Sequence, residues 1–219
     1  MVPAVHAPNH PGQKPSAFTP DSRQAWVRLV IALLFGSIGA VGMWAVVVVI
    51  PVVQTEFAAT RGAVSLAFTL MMFGFGLGGV IAGKITDRFG IVQAMAISIA
   101  FLGVATVLAG LSTQLWQFVA AYFLIGLGTS ATLAPLMAEA SHWFERYRGL
   151  AVTIVASGNY VAGTIWPPIV SFGMQTIGWR TTHIGIALVC VSVMSMLVLV
   201  LRAQIGDDKV HNQIGRAHV

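Results

Sequence analysis

Six long apolar runs constrain this chain more than any other feature: Leu29–Val53, Ala63–Gly83, Ile91–Leu111, Leu115–Ala138, Gly149–Gly173 and Thr181–Leu201. Each reaches the roughly 20 residues that an α-helix needs to cross the hydrocarbon of a bilayer. Barrel strands would be about half that length and would alternate in polarity, which these runs do not. A helix also satisfies its own backbone hydrogen bonds, as lipid requires. Composition agrees, because only 9% of the residues are charged against roughly 25% in an ordinary soluble domain. The expected fold is an all-α membrane protein, a bundle of six transmembrane helices over residues 26–202.

The positive charge is a topology signal. With the amino terminus in the cytoplasm, Lys14, Arg23, Arg28, Lys84, Arg88, Arg146, Arg148, Arg202, Lys209 and Arg216 all lie inside, and only Arg61 and Arg180 lie outside. The positive-inside rule then places both ends of the chain on the cytoplasmic side of the cell membrane. Basic residues confined to short connections do not describe a nucleic-acid surface. The segment 1–25 reads as a disordered cytoplasmic tail, punctuated by Pro3, Pro8, Pro11, Pro15 and Pro20. His6 and His10 within it have no companion ligands, and nothing in the sequence calls for a metal or cofactor. Cys190, the one cysteine, sits in an apolar run and reads as a small buried hydrophobe.

Small residues recur at a spacing of four: Gly74 with Gly78, Gly79 with Gly83, Gly126 with Ser130, and Gly36 with Ala40. Such pairs let helix backbones approach closely. Static packing and a surface on which helices glide both account for them. The fifth run is the most polar, carrying Thr153, Ser157, Asn159, Tyr160 and Thr164 before Trp166-Pro167-Pro168. A mid-membrane asparagine needs a partner or water, and the two prolines are expected to bend or break the helix near its outer end.

The stretch Gly83-Lys84-Ile85-Thr86-Asp87-Arg88-Phe89-Gly90 is a charged turn between two apolar runs. Its Gly83, Asp87, Arg88 and Gly90 resemble the signature loop of the major facilitator superfamily in spacing and in position after the second span. The motif His142-Trp143-Phe144-Glu145-Arg146-Tyr147-Arg148-Gly149-Leu150-Ala151, followed by Ala156-Ser157-Gly158, is similar to that of monocarboxylate-transporter-like members, and Gly178-Trp179-Arg180 is also typical of the superfamily. The resemblance covers roughly residues 28–202. Two features depart from it. Ile91 and Val92 stand where basic residues usually follow the last glycine, and Ala120-Ala121-Tyr122-Phe123 stands where the family has an arginine. Glu139 takes the place of the acidic residue that ends the fourth span, leaving Arg88 or Arg146 as the cation to pair with it.

What the resemblance implies is one half of a twelve-helix fold whose halves are related by an axis along the membrane normal, with the substrate site between them. Residues 203–219 would begin a central cytoplasmic loop. Ile214–Val219 look like a reading frame of a sequencing adapter, so the chain is expected to be a fragment that lacks its carboxy-terminal half. The implied function is secondary active transport of a small organic solute, a monocarboxylate or related organic anion, by alternating access, with a coupling proton or counter-substrate as a further partner. Candidate cavity residues are Met43, Trp44, Tyr122, Thr129, Asn159, Tyr160 and Trp166. The candidate conformational-switch residues are Gly83, Asp87, Arg88, Gly90, Glu139 and Arg146. A six-span subunit working as a homodimeric transporter, channel or scaffold stays open. An intramembrane enzyme would need convergent acids, histidines or metal ligands, and His142, His183 and Glu139 are scattered.

Overall fold

The computed structural model describes residues 21–217. The proline-rich segment 1–20, with His6 and His10, and residues 218–219 lie outside the described residues, as do the side chains of the adapter-like tail. Every described element is helical: α1 (Arg23–Gly39), α2 (Val41–Glu56), α3 (Arg61–Phe89), α4 (Ile91–Gly110), α5 (Leu115–Ser130), α6 (Ala134–Trp143), α7 (Arg148–Ile177) and α8 (Trp179–Ala217). Among the described residues six segments are long and apolar enough to cross a membrane, the first and fourth each made of two helices end to end. The protein is thus an all-α, multi-pass membrane protein.

Local chemistry sets the ends. Ser22 caps α1 by accepting from Ala25 N–H at 3.3 Å, and Thr60 caps α3 by accepting from Ala63 N–H at 3.3 Å. α3 and α7 both stop at glycines with positive φ, Gly90 at +86° and Gly178 at +80°, a conformation that favours glycine. The charged turn of the sequence is therefore shorter than expected. α3 keeps Lys84, Asp87 and Arg88 helical, and Gly90 alone makes the corner, its N–H donating to Thr86 O at 2.8 Å.

Two helix breaks fall where no interruption was expected, and an expected break is missing. α1 gives way to α2 at Ala40, beside Gly39, where an added Cβ would stand 2.7 Å from Thr132 Cβ. α5 gives way to α6 over Ala131–Leu133, because Pro135 has no N–H for the carbonyl one turn back. By contrast, Pro167 and Pro168 lie inside an unbroken α7. A full break there would expose more unpaired backbone to lipid than the two missing donors do. The last helix, read as ending near Leu201, continues to Ala217.

α3 packs most extensively on α5, α4 lies against α5 and α8, and α7 lies against α1 and α2. Glycine makes the α3–α5 contact. A Cβ on Gly126 would come 2.9 Å from the Met71 carbonyl carbon, and one on Gly78 would come 2.7 Å from the Leu127 carbonyl oxygen. The pair Gly79 and Gly83 packs differently from expectation, for both face open space. They sit on the outward side of α3, which with α7 is the least buried of the spans. Gly126→Ala is expected to lower stability by about 1–3 kcal/mol through overpacking against rigid backbone. Gly79→Ala should leave it unchanged. Thermal unfolding of both variants in detergent checks this.

Candidate functional site

The two helix breaks face each other near mid-span and shape a narrow cleft lined by Gly36, Ala40, Met43, Thr129, Thr132 and Asn159, among others. Thr132 fills the notch at Gly36 and Gly39, and its N–H and Oγ1 both donate to Thr129 O, at 3.0 and 2.6 Å. One hydroxyl is left over. Thr129 is buried, and its Oγ1 has no hydrogen-bond partner among the described residues. An unpaired buried hydroxyl costs roughly 1–3 kcal/mol, and the cleft encloses about 10 Å³, so its presence on a cleft wall marks a position suited to a single water.

The opposite wall is held by an indole. Trp44 on α2 donates its Nε1–H to Asn159 on α7, reaching the backbone carbonyl at 3.1 Å and Oδ1 at 3.3 Å. The ring fits because Gly163 lies one turn further along α7; a Cβ there would stand 2.6 Å from Trp44 Cζ2. Bonding through Oδ1 leaves the Asn159 amide N–H groups as donors at the cleft. The cleft thus offers a hydroxyl and an amide on an apolar floor, and among the described residues no ionisable side chain lines it.

Of the seven residues expected at the cavity, Met43, Trp44, Thr129 and Asn159 gather here. Tyr160 lies on the open face of α7, 74% exposed. Trp166 and Tyr122 serve as internal ties instead. Trp166 is buried and donates to Ser37 O at 2.9 Å, joining α7 to α1. Tyr122 is fully buried, and its hydroxyl lies 2.9 Å from His183 Nε2, joining α5 to α8. His183 Nδ1 is 2.8 Å from the Trp179 carbonyl. That acceptor can only take a proton, so Nδ1 carries it and Tyr122 donates to Nε2.

The switch residues lie at the basic end of the bundle. Asp87 and Arg88 are exposed on the last turn of α3, near Gly83 and Gly90, with the Arg88 guanidinium 5.3 Å from the Phe89 ring centroid. Glu139 lies half-buried on α6, and Arg146 lies exposed with its guanidinium 5.5 Å from the Tyr147 ring centroid. Among the described residues no ion pair joins Glu139 to Arg88 or Arg146. The Arg146 backbone N–H donates to Asp21 Oδ2 at 3.1 Å, and Asp21 N–H donates to Trp143 O at 3.2 Å. The start of the first span is thereby strapped to the turn before the fifth.

Sequence reasoning missed a cluster at the opposite end. Glu56 on α2 accepts from Trp179 Nε1 and pairs with Arg180, both on the first turn of α8. Arg180 also donates to Ser112 O at 3.0 Å, reaching the turn between α4 and α5. The signal was available, since Glu56 is the one acid that the orientation rule leaves at that end and Arg180 one of two bases there.

A sequence profile of the Major Facilitator Superfamily matches residues 30–217. The chain belongs to that superfamily. An aspyridones efflux protein of Emericella nidulans is 25% identical over 216 residues, covering 94% of this chain and 42% of the relative. A superfamily-type transporter of Aspergillus niger is 25% identical, covering 90% and 47% respectively. A probable sulfoacetate transporter of Cupriavidus necator is 26% identical over 135 residues, 61% of this chain and 31% of the relative. The chain spans about half the length, or less, of these curated relatives. Each of these relatives is named as a transporter or an efflux protein.

The Tyr122–His183 tie yields a direct expectation. Tyr122→Phe leaves His183 Nε2 buried without a donor and should cost about 1 kcal/mol. Glu56→Gln, half-exposed, should cost less, in line with the small worth of surface ion pairs. Paired unfolding curves in detergent check the order, and an equal loss in both variants would contradict it.

Proposed function

We propose that this chain is the amino-terminal six-helix half of a secondary active transporter that moves a small organic anion, a monocarboxylate or a related acid, across the cell membrane by alternating access. The observation that carries the reading is the cleft between the two broken spans, where the unpartnered Thr129 hydroxyl faces the Trp44–Asn159 pair. Broken helices within a bundle are where transporters build polar sites, since irregular backbone is tolerated at membrane depth only beside protein or a cavity. The cleft encloses about 10 Å³ and would have to widen as the halves rock before the orphan hydroxyl and the asparagine amide could orient a carboxylate or its neighbouring polar group. The likeness to a probable sulfoacetate transporter supports a small organic acid, and the motif between Trp143 and Ala151 supports the monocarboxylate-like branch.

Among the described residues no charged side chain lines the cleft, so the cation that neutralises the anion, and any proton-carrying carboxylate, would come from a second six-helix half. The open faces of α3 and α7 are the surfaces that such a half would cover. In this reading the basic end of the bundle faces the cytoplasm, as the positive-inside rule has it. The switch residues Asp87 and Arg88 would then meet the second half when the site closes to that side.

The test is uptake of radiolabelled short-chain carboxylates and sulfonates into proteoliposomes carrying the full-length gene product. Trp44→Phe and Thr129→Val are each expected to raise KM about fivefold, the worth of one hydrogen bond near 1 kcal/mol. Leu188→Ala, on the lipid face, should leave it unchanged. Wild-type protein that moves none of these solutes would overturn the substrate class. Unchanged KM in both cleft variants would overturn the site.

A further inference from the structure

A crevice away from the cleft, between α3, α4 and α5, encloses about 230 Å³. Its floor is made of small residues, Ala82, Ala94 and Gly128 among them, and its rim of Ile81, Ile97 and Phe101. The rim residues are 42–48% exposed, so the crevice opens on the outside of the bundle. Among the described residues Ser98 is the one polar side chain lining it, and its hydroxyl is already committed to Gly128 O at 2.5 Å. A crevice with no free polar group does not hold ordered water. Hydrocarbon is the occupant that its chemistry accepts.

The crevice runs toward a cation. Ile81, Ile85 and Arg88 follow one another at helical spacing on α3, which places Arg88 on the same side, about 10 Å beyond Ile81 along the axis. Arg88 is exposed on the last turn before the Gly90 corner, lies over the Phe89 ring, and pairs with no carboxylate among the described residues. A guanidinium at the membrane boundary above an apolar slot matches a phosphate above an acyl chain.

The geometry points to a phospholipid site in which one acyl chain of an anionic lipid fills the crevice between α3, α4 and α5 while its phosphate pairs with Arg88. The site is separate from the cleft and shares Arg88 with the proposed switch, which would meet the second half only when the transport site closes to that side. It gives Arg88 a partner outside the protein, so that lipid charge bears on the turn at Gly90 that joins the second and third spans. The attraction of one basic residue for an anionic headgroup corresponds to about a fivefold preference over a zwitterionic one.

The test uses phosphatidylglycerol and phosphatidylcholine, each carrying a photoreactive diazirine on one acyl chain, as minor components of vesicles holding the purified 219-residue chain. Mass spectrometry maps the labelled residues. Labelling concentrated on Ile81, Ile85, Ile97 and Phe101, and about fivefold stronger for phosphatidylglycerol, is the expected result. Arg88→Gln should abolish the headgroup preference and Arg88→Lys should keep it. Ile97→Trp, at the half-exposed rim, should reduce crevice labelling with both lipids while Leu188 and Leu199 on the α8 face label as before. Labelling spread evenly over Leu188, Leu199 and Phe172 would overturn the site. Equal labelling by the two lipids would overturn the role of Arg88, and so would a preference that survives Arg88→Gln. Loss of crevice labelling when the full-length product is used would show that another part of that protein fills it, and would overturn the lipid as occupant.

Discussion

The close backbone contact of α3 with α5 is the constraint on which the rest of the bundle depends. Lipid is as apolar as the side chains it surrounds, so no hydrophobic force draws membrane helices together; packing and interhelical polar contacts must do so. Gly74, Gly78 and Gly126 remove the side chains that would hold these two helices apart. With α5 seated there, Thr129, one turn past Gly126, reaches the wall of the cleft, and Thr132 reaches the notch at Gly39. The same seating puts Gly128 at the floor of the crevice beside α4.

Tryptophan N–H groups supply directional ties between spans. Trp44 joins the first span to the fifth, Trp166 joins the fifth to the first at a second level, and Trp179 joins the sixth to Glu56 at the end of the first. The Trp44 and Trp166 ties each pair a donor that lipid cannot satisfy with an acceptor on another helix, whereas the Trp179 tie lies at the half-exposed end of the bundle. The first span is held at three depths in this way, and its fault at Ala40 can persist. A span fixed above and below a break does not need continuous helix to stay in place.

Much of this was legible in sequence. Six apolar runs of sufficient length announced six spans, because the bilayer imposes a length and a backbone rule that few soluble elements obey. The likeness of Gly83–Gly90 to a signature motif agreed with the superfamily match. At the site, Trp44, Thr129 and Asn159 fell together as polar or aromatic groups in otherwise apolar spans. Tyr122 and Trp166 were drawn in by the same reasoning and turned out to be buried ties. Residue type says that a polar tip must find a partner, and it does not say whether that partner is a ligand or a neighbouring helix. The breaks at Ala40 and Ala131–Leu133 carried only weak signals, a glycine and a following proline, whereas the conspicuous Pro167–Pro168 pair left α7 unbroken.

The sequence by itself determined the solvent, the number of spans and the superfamily, since these follow from hydrophobic length, charge scarcity and a local motif. Only the tertiary structure decided which glycines carry contact, which tryptophans act as ties, and where the helices fault. Those outcomes depend on what stands opposite each residue. Gly78 and Gly79 are adjacent in the chain, yet one lies against the Leu127 backbone and the other faces open space. The 100° step of a helix separates their surroundings, and which surroundings each one has is settled only when α5 docks.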